Sequence, residues 1–96
     1  MAGCQRTVTV VHRQGLHARP AALFVQMAKR FASRVTVKKG RKVVDGKSIM
    51  GLLTLAAHAG SRIVIIADGA DSLQALEELC RLVTEPLPEP PKHAKS

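Results

Sequence analysis

Polar and β-branched apolar residues alternate over residues 6–11 (RTVTVV), which predicts a strand with Val8 and Val10 turned to the core. After His12-Arg13-Gln14-Gly15 the period changes. From residue 18 to about 31, Pro20, Leu23, Phe24, Met27, Ala28 and Phe31 recur at helical spacing, with Gln26, Lys29 and Arg30 on the wet side. Alternation returns in Arg34–Lys39, with Val35 and Val37 inward. Gly40 turns the chain and Lys42–Asp45 comes back, so the pair reads as a hairpin. Asp45-Gly46-Lys47-Ser48 is a second break, and Ser48 is placed to cap a short helix over residues 49–57. The apolar residues of that helix run round more than one face, so some are left for a partner.

His58-Ala59-Gly60 ends this helix. Residues 62–67 (RIVIIA) form the most apolar strand, which predicts a central position. Asp68-Gly69-Ala70-Asp71-Ser72 turns into a last helix, with Asp71 and Ser72 both candidate caps and Leu73, Leu76, Leu79, Cys80 and Val83 at core spacing. Pro86, Pro88, Pro90 and Pro91 end regular structure, so residues 86–96 read as a disordered tail after a single domain over residues 1–85. The order β-α-β-β-α-β-α predicts a two-layer α+β domain, although pattern alone leaves the strand order open.

Composition changes this picture little. A chain of 96 residues suits one small core, and with Phe24 and Phe31 the only aromatics that core must be aliphatic. No apolar run approaches the ~20 residues of a membrane span. The N-terminus lacks a signal-peptide layout, and Cys4 and Cys80 form no close motif, so the chain reads as cytoplasmic with reduced thiols, Cys80 as a small buried hydrophobe. Charge does alter the picture. The net charge is +8, and Lys29, Arg30, Arg34, Lys38, Lys39, Arg41, Lys42 and Lys47 face only Asp45 in their stretch. Such a field draws acidic partners and raises nucleic acid as an alternative ligand. Against nucleic acid, there is no Tyr or Trp, and both Phe residues are at core spacing, so a stacking platform is missing.

The candidate chemistry lies in Gly15-Leu16-His17-Ala18-Arg19-Pro20-Ala21-Ala22. Proline is cheap only in the first helical turn, where backbone donors have no intrahelical partner. A helix starting near Ala18 puts His17 at the cap and Arg19 in the first turn. A histidine there meets free N–H groups and the positive end of the dipole, a site suited to an anion such as phosphate. Arg19 is a cation where the dipole prefers an anion, which suggests that an anion visits. His12, His58 and His93 have no ligand-like spacing with Cys or carboxylates, so no metal is expected, and His12 and His58 read as surface residues. No cofactor motif and no Ser/His/Asp array are present.

Gly15-Leu16-His17-Ala18-Arg19-Pro20-Ala21 resembles the phosphorylation-site motif of the HPr family, the histidine-containing phosphocarriers of the phosphoenolpyruvate-dependent phosphotransferase system. Lys47-Ser48-Ile49-Met50-Gly51-Leu52-Leu53 resembles that family's regulatory serine segment. The resemblance spans about residues 5–85. It implies an open-faced β-sandwich, four antiparallel strands covered on one face by three helices. It implies that His17 accepts a phosphoryl group on Nδ1 from enzyme I and passes it to A-type units of enzyme II, with Arg19 as the active-site arginine. It further implies that Ser48 is the target of a dedicated ATP-dependent serine kinase. The chain would then be a phosphoryl carrier rather than a free-standing enzyme, expected as a monomer. Its docking surface would be His17, Arg19, Ala22, Gln26, Ile49, Met50 and Leu53.

That chemistry suits the residues. Histidine as a residue type titrates at ~6.5, so it supplies a neutral nucleophile near pH 7 and a labile phosphoramidate. An arginine offers a planar fork of donors to phosphate oxygens. The remaining alternative is a regulatory paralogue that acts by binding alone, against which the presence of His17 and Arg19 argues.

Overall fold

The fold was obtained as a computed structural model, which describes residues 3–12 and 15–85. The expected tail, His93 included, and the loop residues Arg13 and Gln14 lie outside the described residues. The elements run β1 (Gly3–Thr9), α1 (Ala18–Ala28), β2 (Arg34–Lys39), β3 (Lys42–Asp45), α2 (Ile49–Leu55), β4 (Arg62–Asp68) and α3 (Ser72–Thr84). This is the predicted order. The strands form one antiparallel sheet in the order β1-β4-β2-β3, so the most apolar strand is central.

Period-two burial explains why the sheet has one covered face. In β4, Ile63, Ile65 and Ala67 are buried, while Val64 and Ile66 are half-buried and Arg62 and Asp68 exposed. The register carries this face across the sheet: Val8 lies opposite Ile63, and Val35 and Val37 opposite Ala67 and Ile65. Against them pack Phe24, Val25 and Ala28 of α1, Leu52 and Leu55 of α2, and Ala75, Leu76, Leu79, Cys80 and Val83 of α3. These side chains form a single aliphatic core with one aromatic at its centre.

Four expectations are corrected. Leu73 is 60 % exposed; Ser72 takes the inward place in the first turn of α3, and the stripe continues from it through Ala75, Leu76, Leu79, Cys80 and Val83. Asp71 is the cap residue of α3 but makes no side-chain cap bond. Its carboxylate instead accepts from the Ala32 N–H at 2.9 Å, the Ser33 N–H at 3.0 Å and the Ser33 hydroxyl. His12 is buried, not a surface residue. The helices are also shorter than their apolar runs. α1 stops at Ala28, and α2 stops at Leu55 because Ala56 turns left-handed at φ 55°.

Three lysines of the basic stretch have structural duties. Lys42 Nζ donates to Thr54 O at 2.7 Å and Lys39 Nζ to Ala56 O at 3.3 Å, covering carbonyls at the C-terminal end of α2 where cations are favoured. Lys47 Nζ donates to Phe31 O, just past α1, at 2.9 Å. Cys4 and Cys80 are free thiols, and burial pushes the Cys80 thiol above its ordinary value, partly opposed by Arg6.

Candidate functional site

The site is built at the start of α1. Pro20 sits in the first turn and is buried, its missing N–H costing nothing where no intrahelical acceptor exists. His17 is the cap residue, with extended backbone (φ −89°, ψ −165°), and its carbonyl accepts the Ala21 N–H at 2.9 Å. A Ser at such a place can turn its side chain back on the helix, as Ser48 does at α2. The imidazole of His17 makes no such bond and the residue is exposed, as is Arg19.

The two residues before it are tightly specified. The Gly15 N–H bonds to His12 O at 2.8 Å, and the Leu16 N–H bonds to Ala57 O at 2.8 Å. Gly15 has φ +73°, and a Cβ there would run into Ala57 O and the His58 backbone. Glycine is therefore required twice over, for its conformation and for its closeness. Leu16 is buried in the core, so the two residues ahead of His17 are both fixed.

Ala57 lies just beyond α2, and α1 packs directly on α2. The two sequence motifs are thus joined through the fold. Ser48 caps α2 as expected: its Oγ accepts the Gly51 N–H at 3.0 Å. It stands at the opposite end of α2 from Ala57, about 10 Å away along a helix of this length. On α2, Ile49 is 42 %, Met50 70 % and Leu53 37 % exposed. On α1, Gln26 is exposed and Ala22 half-buried. Both Phe residues are consumed by packing, Phe24 fully buried and Phe31 against the core, so no aromatic platform for bases exists among the described residues. No group of three or more His, Cys, Asp or Glu that could hold a metal occurs among the described residues, and no helix is long and apolar enough to cross a membrane.

An exposed histidine thus stands at a helix start, two residues before an arginine. The family described as the PTS HPr component phosphorylation site matches residues 4–85. The chain belongs to the HPr family. Among its relatives, the HPr-like protein Crh of Bacillus subtilis is 51% identical over 81 residues, covering 84% of this chain and 95% of that protein. The phosphocarrier protein HPr of Treponema pallidum is 44% identical over 77 residues, covering 80% and 88%. The crystal structure of HPr from Bacillus anthracis superposes with a TM-score of 0.84 at 46% identity, covering 88% of this chain and all of that one. HPr structures thus share the four-stranded, three-helix architecture seen in this chain. A crystal structure of Crh is described as a dimer with a swapped domain. HPr members of the family are phosphocarriers of the phosphotransferase system, with its enzymes as their general partners, while Crh is an HPr-like member.

Sequence reasoning missed His12, Ala57 and the lysines that close α2. Only one local signal existed for any of them: Gly15, whose need for a positive φ and a near neighbour marks a loop pressed against something else.

Proposed function

We propose that this chain is a cytoplasmic phosphocarrier that takes a phosphoryl group on His17 from phosphorylated enzyme I and delivers it to A-type units of enzyme II. The observation that carries this reading is the state of the cap: His17 occupies the cap position of α1 while its ring does no capping. The lone pair of Nδ1 attacks phosphorus as the bond from phosphorus to enzyme I breaks, its electron pair staying with enzyme I. The incoming anion meets the N–H groups of the first turn, each such interaction worth roughly 0.3–1 kcal/mol at an exposed helix end. Arg19, one turn-start away on the same helix, adds fixed positive charge for the phosphate oxygens. Positioning and charge do most of the work in such a transfer, with the partner's site supplying the rest. Both residues come from one chain, so a monomer suffices.

Docking is assigned to the apolar patch of Ile49, Met50 and Leu53, extended by Ala22 and Gln26 of α1 and rimmed by basic charge that steers acidic partners. Ser48 at the edge of that patch is proposed as the target of a serine kinase. A phosphate there would put roughly −2 of charge beside the patch without touching His17. The test is incubation with phosphoenolpyruvate and enzyme I, followed by intact mass. One acid-labile phosphate, lost in His17→Ala, is expected; no transfer from a cognate enzyme I overturns the reading.

The likeness to Crh, whose solution structure is described as that of a catabolite repression HPr, favours a second reading, a regulatory paralogue acting by binding alone. ATP and the serine kinase, tested on Ser48→Ala, decide that role separately. Phosphorylation of Ser48 without any acceptance at His17 would favour this second reading over the first.

A further inference from the structure

The loop that presents His17 is held from two sides. On one side it is backbone against backbone, with Leu16 N–H on Ala57 O and Gly15 pressed against the same residue. On the other side it is held by a side chain. The ring Nε2 of His12 lies 2.9 Å from the carbonyl oxygen of Leu82, 70 residues away, and the His12 side is closed off from solvent at 9 % exposure.

A carbonyl oxygen only accepts, so the proton of this bond is on Nε2. The sequence explains why the acceptor is vacant. Leu82 lies in the last turn of α3, and its helical donor would be the N–H of residue 86. That residue is Pro86, which has none. His12 supplies what proline withholds. The neighbouring backbone bond, Val11 N–H to Val83 O, is long at 3.4 Å, so the imidazole is the better-formed of the two ties between the loop and α3.

His12 is also the base of the turn that leads to the site. Its own carbonyl accepts the Gly15 N–H at 2.8 Å, and from Gly15 the chain passes through buried Leu16 directly to His17. His12 is therefore linked to the cap of α1 through the hydrogen bond from Gly15 and the two residues that follow it. We propose that His12 is a positioning residue: by capping the carbonyl of Leu82 with its Nε2–H it braces the phosphoacceptor loop on the end of α3 and sets the place of the His17 ring. This rests on the phosphocarrier reading, since it assigns His12 a part in that reaction. His12 does not touch the phosphoryl group; its effect is on alignment, to which group transfer is sensitive.

Three variants of the full chain test this. His12→Phe keeps a ring but removes the donor. His12→Gln can place an amide N–H near the position of Nε2, and His12→Asn carries the same group one carbon short. With enzyme I as the donor and the chain as acceptor, His12→Phe is expected to lower kcat by about tenfold or more with KM changed less than about twofold. His12→Gln should return to within about threefold of wild type, and His12→Asn should resemble His12→Phe. Wild-type kcat in His12→Phe overturns the proposal, and so does a His12→Gln variant as slow as His12→Asn; the Gln and Asn pair decides if His12→Phe does not fold. Nitrogen-15 NMR of the wild type should find a slowly exchanging proton on His12 Nε2, and a proton confined to Nδ1 overturns the proposal. If the wild type accepts no phosphoryl group, the phosphocarrier reading fails by itself. The brace is then judged by amide exchange at Gly15 and Leu16, expected to quicken in His12→Asn and not in His12→Gln; equal exchange in the two overturns it.

Discussion

α1 and α3 begin in the same way and use the beginning for opposite ends. Each has a polar cap residue, His17 and Asp71, whose side chain makes no cap bond to its own helix. The imidazole of His17 is left in solvent. The carboxylate of Asp71 is committed to Ala32 and Ser33, taking three hydrogen bonds from the turn after α1 and so tying the start of α3 to the start of β2. α2 shows the ordinary alternative, Ser48 bonded to its own first turn. A helix start offers unpaired donors, and the fold decides whether its cap side chain bonds to its own helix, bonds to a neighbouring element or stays in solvent.

This comparison predicts a double dissociation. The largest effect should be on activity: His17→Ala abolishes phosphoryl acceptance measured by mass, yet shifts stability by less than about 0.5 kcal/mol in denaturant unfolding, because the lost ring holds nothing in place. Gly15→Ala should cost about 2 kcal/mol or more, read from the urea midpoint, since a left-handed backbone and a backbone clash act together. Acceptance at His17 should fall with it, as the clash is met one residue before Leu16.

Asp71→Asn should do the reverse of His17→Ala, lowering Tm near neutral pH while phosphoryl acceptance persists in the folded protein. The hydroxyl of Ser33, then the N–H of Ala32, stabilise the charged carboxyl and hold it below its usual value of 3.8. The depressed group stabilises the fold in full above the unfolded value, and that contribution is lost as pH falls through the folded value. The Tm difference between Asp71→Asn and wild type should therefore be widest above about pH 5 and close progressively in more acidic buffer. The smallest effect belongs to Ser48→Ala, about 1 kcal/mol for the lost cap, with acceptance at His17 unchanged. Ser48→Asp should retain a cap and weaken binding to enzyme I in calorimetry; binding equal to wild type would remove Ser48 from the proposed switch.

Much of this was legible in the sequence because it is local. Alternation in β2 and β4, the Gly40 turn, Pro20 in a first turn and Ser48 before α2 each depend on neighbours within a few residues. The site motif was legible for the same reason, because Gly15 to Pro20 is one continuous stretch. What escaped was decided by partners far along the chain. A histidine beside a loop reads as solvated until Leu82 comes to meet it, and an aspartate before a helix reads as its cap until Ser33 claims it. Leu73 has core spacing from Leu76, but only the placing of Ser72 inward shows that the stripe begins one residue earlier. The basic stretch looks like a uniform field, while Lys39, Lys42 and Lys47 are held on carbonyls.

The order of the sheet bears on how the chain is born. β1 comes well before β4 in the chain, yet among the described strands it pairs with β4 alone, Val8 against Ile63. At roughly 5–20 residues per second on a ribosome, β1 waits several seconds for β4. The hairpin of β2 and β3 can close meanwhile, but the bond from Leu16 needs the residue after α2, and the bond from His12 needs α3. The surroundings of His17 are therefore complete only once α3 is in place, although His17 precedes every element but β1.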